Sequence, residues 1–318
     1  LPMDSGVILR NEKLFERQGF IIELNQDGVI GRGEVAPLPG FSDESMLDVE
    51  AQLPAQLALW QQGVEVDYNT LYPSIAFGLS MAIMELAGDL PQEGNFFAAP
   101  LCSGDPDDLL EKLSKMPGKK VAKVKVGFYE AVRDGMIVSL LLESIPDLSL
   151  RLDANRAWTL AKAEKFASKI RPSYRHRIAF IEEPCDTPTS SMAFGMNSGI
   201  AIAWDETLQQ SLKNPAFLLE DLTGVKGLII KPSVIGSVQR CQYLVKKAQR
   251  LGMQAVISSS LESSLGLCQL ARLSKLLLPD EVPGLDTVNL FKQQLEVEWP
   301  GCGLPYVSLD SQPVVWSC

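Results

Sequence analysis

Histidine is nearly absent from the 318-residue chain, which has a single one, His176, in the basic run RPSYRHR. A Ser-His-Asp triad, a histidine-rich metal site or a histidine base would have to be built on that one residue. We expect His176 to be a solvated loop residue. Proton transfer would therefore fall to Lys, Asp or Glu side chains.

Paired cysteines are also missing, because the six cysteines are scattered along the chain with no CxxC pair. This spacing indicates neither a disulfide framework nor a thiolate zinc site, and we expect six reduced thiols. The six are Cys102, Cys185, Cys241, Cys268, Cys302 and Cys318.

Basic residues are in deficit, with 29 Lys and Arg against 39 Asp and Glu and a formal net charge of −10. This balance argues against nucleic acid or an anionic membrane as a partner. No uncharged apolar run approaches the roughly 18 residues of a membrane span, and LPMDSGVILRNEK lacks the order of a signal peptide. We expect a cytoplasmic protein with a small-molecule substrate and no obligate protein partner.

The first 90 or so residues predict a small α+β unit. FIIEL and VIGRGEV flank the pair Asp27-Gly28, which supplies the positive φ angles of a tight hairpin turn. Helical patterns follow at 43–62 and 74–88, and PQEGNF interrupts them. We predict one domain over 1–91, joined by the segment 299–318, and a second over 92–298.

Strands and helices alternate in the second domain. Seven short apolar runs, FFAAPL, VAKVKV, LSLRLD, IAFIEE, IAIAWDE, GLIIK and QAVISSS, are separated by helical stretches such as DDLLEKLSK. With an eighth strand near 283–290, they predict a (β/α)₈ (TIM) barrel. A doubly wound open sheet is the alternative, but the glycine-rich phosphate turn that it calls for after an early strand is missing.

Polar residues end these runs at regular intervals. The steps from Lys125 through Asp153, Glu182, Asp205 and Lys231 to Ser258 are 28, 29, 23, 26 and 27 residues, about one βα unit each. Catalytic groups of this fold gather at the carboxyl ends of the strands. We therefore expect these distant residues to face one small space.

Asp153, Glu182 and Asp205 form an all-oxygen set without thiolate or imidazole. Such a set suits Mg²⁺, and without a cation three converging carboxylates would repel one another. The alternative is that each residue only caps the helix that follows it.

Lys123 and Lys125 lie two apart in VAKVKV, so a strand would point both to one face. Beside a metal, with Lys231 across the ring, a lysine would have a lowered pKa and could act as a base. The alternative is a pair of solvated lysines on an edge strand.

In order along the chain, GRGEVAPLPGFS, KVKVG, RLDANRAW, FIEEPC, IAIAWDE, IIKPS, AVISSSLESSLG and VPGLDT resemble the enolase superfamily, in its muconate-lactonizing-like subgroup. Among its members they most resemble the o-succinylbenzoate synthase family, over nearly the whole chain. The resemblance implies that the amino-terminal domain is a capping domain. It also implies an Mg²⁺ enzyme, in which Mn²⁺ can substitute.

The resemblance assigns roles residue by residue. Asp153, Glu182 and Asp205 become the metal ligands, Lys125 the acid and base, Lys123 its electrostatic neighbour and Lys231 the opposing cation. Ser258 and Gly284 would hold a succinyl group, with Asn155 and Arg151 flanking the metal aspartate. No contact is assigned to the segment NEKLFERQG, residues 11–19.

The implied reaction is loss of water from a succinyl-bearing hydroxycyclohexadiene carboxylate, giving o-succinylbenzoate for menaquinone or phylloquinone synthesis. Lysines on two faces would also suit an N-acylamino acid racemase or a dipeptide epimerase. An inactive barrel used for binding is a third hypothesis, but it predicts loss of a lysine or carboxylate, and none is missing.

Overall fold

The computed structural model describes residues 1–4, 8–9 and 12–317. The strands are β1 Ile8–Leu9, β2 Glu12–Lys13, β3 Phe20–Gln26, β4 Val29–Val35, β5 Leu101–Cys102, β6 Val121–Lys125, β7 Ser149–Asp153, β8 Ile178–Glu182, β9 Ile202–Trp204, β10 Gly227–Ile230, β11 Gln254–Ile257, β12 Gln294–Leu295 and β13 Tyr306–Val307.

The α-helices are α1 Met46–Gln61, α2 Pro73–Leu86, α3 Pro106–Ser114, α4 Ala131–Ser144, α5 Leu160–Ser168, α6 Pro188–Ser198, α7 Glu206–Ser211, α8 Pro232–Ile235, α9 Val238–Arg250 and α10 Ser264–Leu277. Short 3₁₀ helices cover Tyr68–Thr70, Pro172–Arg177, Leu219–Leu222, Val288–Leu290 and Leu309–Ser311.

The chain packs into two compact units. The first comprises residues 1–98, 230–245 and 257–318, and the second comprises 99–229 and 246–256. These units group part of the predicted second domain with the amino-terminal segment. The predicted division at residue 91 stays a prediction.

In the first unit, β3 and β4 form the expected antiparallel hairpin, with Phe20 opposite Val35 and Gln26 opposite Val29. Asp27 and Gly28 make the turn with φ angles of 53° and 84°. Both angles lie in the left-handed region, which glycine and aspartate tolerate better than most residues. The hairpin predicted from the Asp-Gly pair is confirmed.

Helix α2 lies directly on strand β4. A Cβ atom added to Gly33 would lie 1.9 Å from the carbonyl oxygen of Gly78, so only glycine permits this approach. Helices α1 and α2 confirm the helical patterns at 43–62 and 74–88. Together with the hairpin they enclose a core that includes Ile22, Val35, Val49, Ile75 and Leu79.

The second unit is built on one seven-stranded sheet whose strands follow chain order from β5 to β11. The pairs from β5 to β10 are parallel. A doubly wound sheet would reverse its strand order at a switch point, so this topology excludes it. Six of the apolar runs are confirmed as strands, whereas β5 overlaps the run FFAAPL only at Leu101.

The eighth strand expected near 283–290 is not formed as predicted. In the first unit, Gly284 makes a single parallel bridge with Ser258, and residues Val288–Leu290 form a 3₁₀ helix. The Gly284 N–H donates to the Ile257 carbonyl at 2.9 Å. Pro283 precedes this bridge and has no N–H to extend the ladder, which limits the pairing.

Two further expectations can be compared with the structure. His176 is exposed, on the 3₁₀ helix Pro172–Arg177 rather than in an open loop. Five cysteines are free thiols, and Cys318 lies outside the described residues.

Within the described part of the chain, every helix is too short or too polar to cross a bilayer.

Candidate active site

The candidate site of the second unit lies where neighbouring parallel strands end. Lys125 of β6 is in register with Asp153 of β7, and Asp153 is in register with Glu182 of β8. Asp205 follows the last residue of β9. Side chains two apart on a strand share a face, so Lys123 points the same way as Lys125.

The two lysines bind the carboxylates directly. Lys125 Nζ lies 2.6 Å from Asp153 Oδ2, and Lys123 Nζ lies 2.9 Å from the same oxygen. Lys123 also donates to Glu182 Oε2 at 2.7 Å. Both carboxylates are buried, whereas the Lys125 side chain is 24% exposed. The KVK pattern therefore forms a buried ion-pair network, which excludes the alternative of two solvated lysines.

The pKa of Lys123 depends on its burial and on the two carboxylates that it contacts. Burial disfavours its ammonium form, but the charges of Asp153 and Glu182 outweigh burial and raise its pKa above the usual value. Burial also favours a neutral Asp153, yet Lys123 and Lys125 hold the pKa of that carboxyl well below its usual range. Two carboxylates are the nearest partners of Lys123, and the lowered lysine pKa expected beside a bound metal ion stays a prediction.

The pKa of Glu182 shifts in the opposite direction to that of Asp153. Burial raises its pKa to about 7, with Lys123 opposing the shift and the charges of Asp153 and Asp205 adding to it. The three carboxylates therefore interact electrostatically, as their spacing predicted. However, within residues 1–4, 8–9 and 12–317 no three His, Cys, Asp or Glu side chains are arranged to hold a metal ion. The three-carboxylate metal site stays a prediction.

Asn155 and Arg151 both lie close to Asp153. The Asn155 side-chain oxygen accepts from Lys125 Nζ at 2.8 Å, and its backbone N–H donates to Asp153 Oδ1 at 3.1 Å. Arg151 shares the face of β7 that carries Asp153, and its guanidinium carbon is 5.6 Å from the centre of the Phe180 ring. Their predicted contacts with substrate remain predictions.

The other predicted site residues belong to the first unit. Lys231 follows the carboxyl end of β10, and its Nζ lies 5.2 Å from the centre of the Phe41 ring. The Ser258 hydroxyl donates to the Gly284 carbonyl at 3.2 Å. A Cβ atom at Gly284 would approach Ser258 Oγ to 2.9 Å, so a side chain there would crowd the hydroxyl.

Sequence reasoning missed a buried network beside these carboxylates. Glu183 is fully buried, and its carboxylate accepts from Arg156 Nε at 3.0 Å and from the Thr207 N–H at 2.7 Å. A signal was present in the pair Glu182-Glu183. If the strand continued through Glu183, the two carboxylates would point to opposite faces. In the structure β8 ends at Glu182 and the chain turns at Glu183, which has a φ angle of 39°.

A second missed network lies in the first unit, within the segment to which no contact was assigned. The buried Arg17 guanidinium donates to the carbonyls of Ala36, Pro37, Ser260 and Leu261 at 2.6–3.2 Å. Asn11, at the start of that segment, lies outside the described residues. No pattern in the sequence distinguished Arg17 from a surface arginine.

Two family models together match most of the chain. Residues 1–86 match the model described as MenC, N-terminal domain, and residues 108–299 match the model described as Enolase C-terminal domain-like. The chain is 61% identical to the o-succinylbenzoate synthase of Vibrio cholerae serotype O1 (strain M66-2) over 316 residues, 99% of this chain and 95% of that protein.

Solved structures show the same fold at lower identity. A crystal structure of o-succinylbenzoate synthase from Thermosynechococcus elongatus BP-1, which contains magnesium in its active site, is 23% identical with a TM-score of 0.71, covering 91% of each chain. The L-Ala-D/L-Glu epimerase from Bacillus subtilis is 17% identical with a TM-score of 0.70, covering 91% of this chain and 88% of the epimerase. The predicted barrel with a smaller α+β domain is confirmed.

Proposed function

The chain belongs to the o-succinylbenzoate synthase family, and we propose that it is the dehydratase that forms o-succinylbenzoate. The observation that carries this proposal is the placement of Lys125 Nζ, 2.6 Å from Asp153 and 2.8 Å from Asn155, at the shared ends of parallel strands. A lysine at this edge lies where the catalytic groups of the fold gather, and a lysine base with Mg²⁺ is the pairing used in the enolase superfamily. The product would supply quinone synthesis.

We infer that Asp153, Glu182 and Asp205 would hold Mg²⁺, with Mn²⁺ able to substitute. Their chemistry fits, because the donors are hard oxygens, as Mg²⁺ requires. The raised pKa of Glu182, to about 7, supports the same inference. It reports burial together with repulsion by Asp153 and Asp205, which a cation would relieve. A bound Mg²⁺ would neutralise the charge that develops on the substrate carboxylate.

Lys125 would act twice in the reaction. Its neutral amine would take the proton next to the ring carboxylate, and the resulting ammonium would then protonate the departing hydroxyl on the same face, giving syn elimination of water. Lys123, paired with Asp153 and Glu182, would hold the local positive charge in place. Lys231 would stabilise the enediolate as a second cation.

The succinyl arm would bind at Ser258 and Gly284. The Ser258 hydroxyl donates to the Gly284 carbonyl, and a side chain at Gly284 would crowd that hydroxyl. Asn155 and Arg151 would bind near the reacting carboxylate. Asn155 also keeps Lys125 oriented through its side-chain oxygen.

The isomerase alternative shares the first chemical step, since a racemase or epimerase also removes a proton next to a carboxylate. Identity of 61% over nearly the whole chain to a dehydratase, against 17% to an epimerase, favours the dehydratase. Incubation with N-succinyl amino acids in D₂O would separate the two. Deuterium exchange at the α-carbon without dehydratase activity would favour an isomerase.

A spectrophotometric dehydratase assay, with and without EDTA, tests metal, reaction and substrate together. We expect turnover with Mg²⁺, loss of turnover with EDTA, and recovery when Mg²⁺ is returned in excess. Turnover that resists EDTA would contradict the metal assignment. No turnover with Mg²⁺ present would contradict the dehydratase.

A further inference from the structure

The chain turns sharply where the carboxylate-bearing strands end. Asn155, Arg156 and Glu183 all have positive φ angles, of 45°, 60° and 39°. Residues other than glycine rarely adopt this region, and such strained positions persist only where their surroundings hold them. The contacts that hold Glu183 are therefore informative about the site.

Glu183 binds the first turn of helix α7, which follows Asp205. Its Oε1 accepts from the backbone N–H of Asp205 at 3.1 Å and from that of Thr207 at 2.7 Å. Its Oε2 accepts from the Thr207 hydroxyl at 2.9 Å. One buried carboxylate thus satisfies two backbone donors and a hydroxyl.

Asp205 occupies the N-cap position of α7, where an aspartate side chain normally accepts from the second or third N–H of its own helix. Here Asp205 makes no such bond, and the Thr207 N–H goes to Glu183 instead. Asp205 Oδ1 accepts from the Gln209 side chain at 2.7 Å. Glu183, and not the side chain of Asp205, therefore caps the first turn of α7.

Arg156 connects this cap to the strand that carries Asp153. Its Nε donates to Glu183 Oε2 at 3.0 Å, and another guanidinium nitrogen donates to the Thr207 hydroxyl at 2.8 Å. Its backbone N–H donates to the Glu183 carbonyl at 2.8 Å. The turns after β7, β8 and β9 are thereby tied to one partly buried ion pair.

We propose that Glu183 is a positioning residue that sets the affinity of the site for Mg²⁺. By capping α7 and pairing with Arg156, it ties together the three turns that follow Asp153, Glu182 and Asp205. This inference rests on the proposed function, in which Asp205 is a metal ligand.

The test is Mg²⁺ binding to the full chain without substrate, measured by titration calorimetry, for the unchanged protein and the variant Glu183→Gln. Loss of a group that orients metal ligands typically weakens metal affinity by 10- to 100-fold, and we expect a loss in that range. At saturating Mg²⁺ the variant should recover kcat to within about threefold, because Lys125 is unchanged. A merely structural residue would lower the melting temperature without moving the Mg²⁺ dissociation constant.

Glu143→Gln is the matched control. Glu143 pairs with Arg171 at 3.1 Å on the surface of the same unit, so this variant also removes a glutamate charge from an arginine pair. Its Mg²⁺ affinity should stay within about twofold of the unchanged protein, as expected for an exposed ion pair. Asp205→Asn serves as the variant that removes a ligand.

The outcomes separate this inference from the proposed function. Weakened binding in Asp205→Asn with unchanged binding in Glu183→Gln would overturn the role of Glu183 alone. Unchanged binding in Asp205→Asn, or no Mg²⁺ binding by the unchanged protein, would overturn the metal assignment and this inference with it.

If Glu183→Gln does not fold, Thr207→Val decides the question. It keeps the Thr207 N–H but removes the hydroxyl shared by Glu183 and Arg156. We expect about threefold to tenfold weaker Mg²⁺ binding, as for one lost hydrogen bond. Unchanged affinity in a folded Thr207→Val protein would overturn the proposal.

Discussion

Two regions of the molecule bury charged side chains, but they satisfy them in different ways. At the strand ends of the second unit, Lys123 and Lys125 pair with the side chains of Asp153 and Glu182. In the first unit, Arg17 is satisfied by four backbone carbonyls. In the second unit the charged side chains pair with side chains of opposite charge, whereas in the first unit a charged side chain is hydrogen-bonded to backbone carbonyls.

The first arrangement suits a reactive site, and the second stabilises the path of the backbone. Side chains paired with side chains can change partners when a substrate or cation arrives, since no strand has to move. A guanidinium bound to backbone carbonyls fixes the path of the chain and cannot leave without exposing buried acceptors. In the first unit, Arg17 holds Ser260 and Leu261, and Leu261 has a φ angle of 62°.

The largest expected effect is a loss of activity when Lys125 is removed from the network of paired side chains. Lys125→Ala should lower kcat by about 10⁴-fold, or about 5 kcal/mol in the barrier, because both proton transfers depend on this amine. The melting temperature should change by no more than a few degrees, since the side chain is partly exposed. Steady-state kinetics and thermal unfolding check the two statements, and substantial residual turnover would remove Lys125 from the acid and base role.

The next largest effect is a loss of stability when the guanidinium of Arg17 is removed from its backbone carbonyls. Arg17→Met should destabilise the protein by about 4 kcal/mol, because it leaves four buried carbonyls without their donor. Chemical denaturation measures the loss. Arg250→Met, at an exposed arginine, should change stability by less than about 0.5 kcal/mol. Equal effects of the two substitutions would show that the guanidinium contacts do not hold the fold.

The smallest effect is a pH dependence at Glu262, in the same part of the first unit. Burial and the nearby charge of Glu34 raise its pKa to about 7, from an ordinary value of 4.5. The folded state therefore keeps the proton between those values while the unfolded chain loses it, so stability falls as pH rises from about 4.5 to about 7. The total loss is on the order of 3 kcal/mol.

Glu262→Gln should remove that part of the pH dependence while keeping the hydrogen bond from the Ser233 hydroxyl, which reaches Oε1 at 2.9 Å. Urea unfolding at several pH values between 5 and 8 would compare the variant with the unchanged protein. The variant should gain stability relative to the unchanged protein as pH rises. Parallel pH profiles would mean that Glu262 ionises normally in the folded state.

Periodicity predicted much of the fold. The Asp27-Gly28 turn, six of the seven strands of the second unit and helices α1 and α2 all follow from local patterns. The eighth strand failed although the sequence shows its weakness, because Pro283 begins the segment and has no N–H to extend the ladder beyond the bridge at Gly284. Residue spacing also predicted the register of Lys125, Asp153 and Glu182, because parallel strands share one edge.

The sequence by itself determined which chemical groups end each strand, since that depends only on strand length and on the two-residue alternation of side chains. Tertiary structure alone decided which partners those groups take. Glu183 caps the helix after Asp205, and Arg17 binds carbonyls more than 240 residues away. Such contacts join segments that are distant in the chain, and pKa values depend on burial and neighbouring charge, neither of which a local pattern specifies.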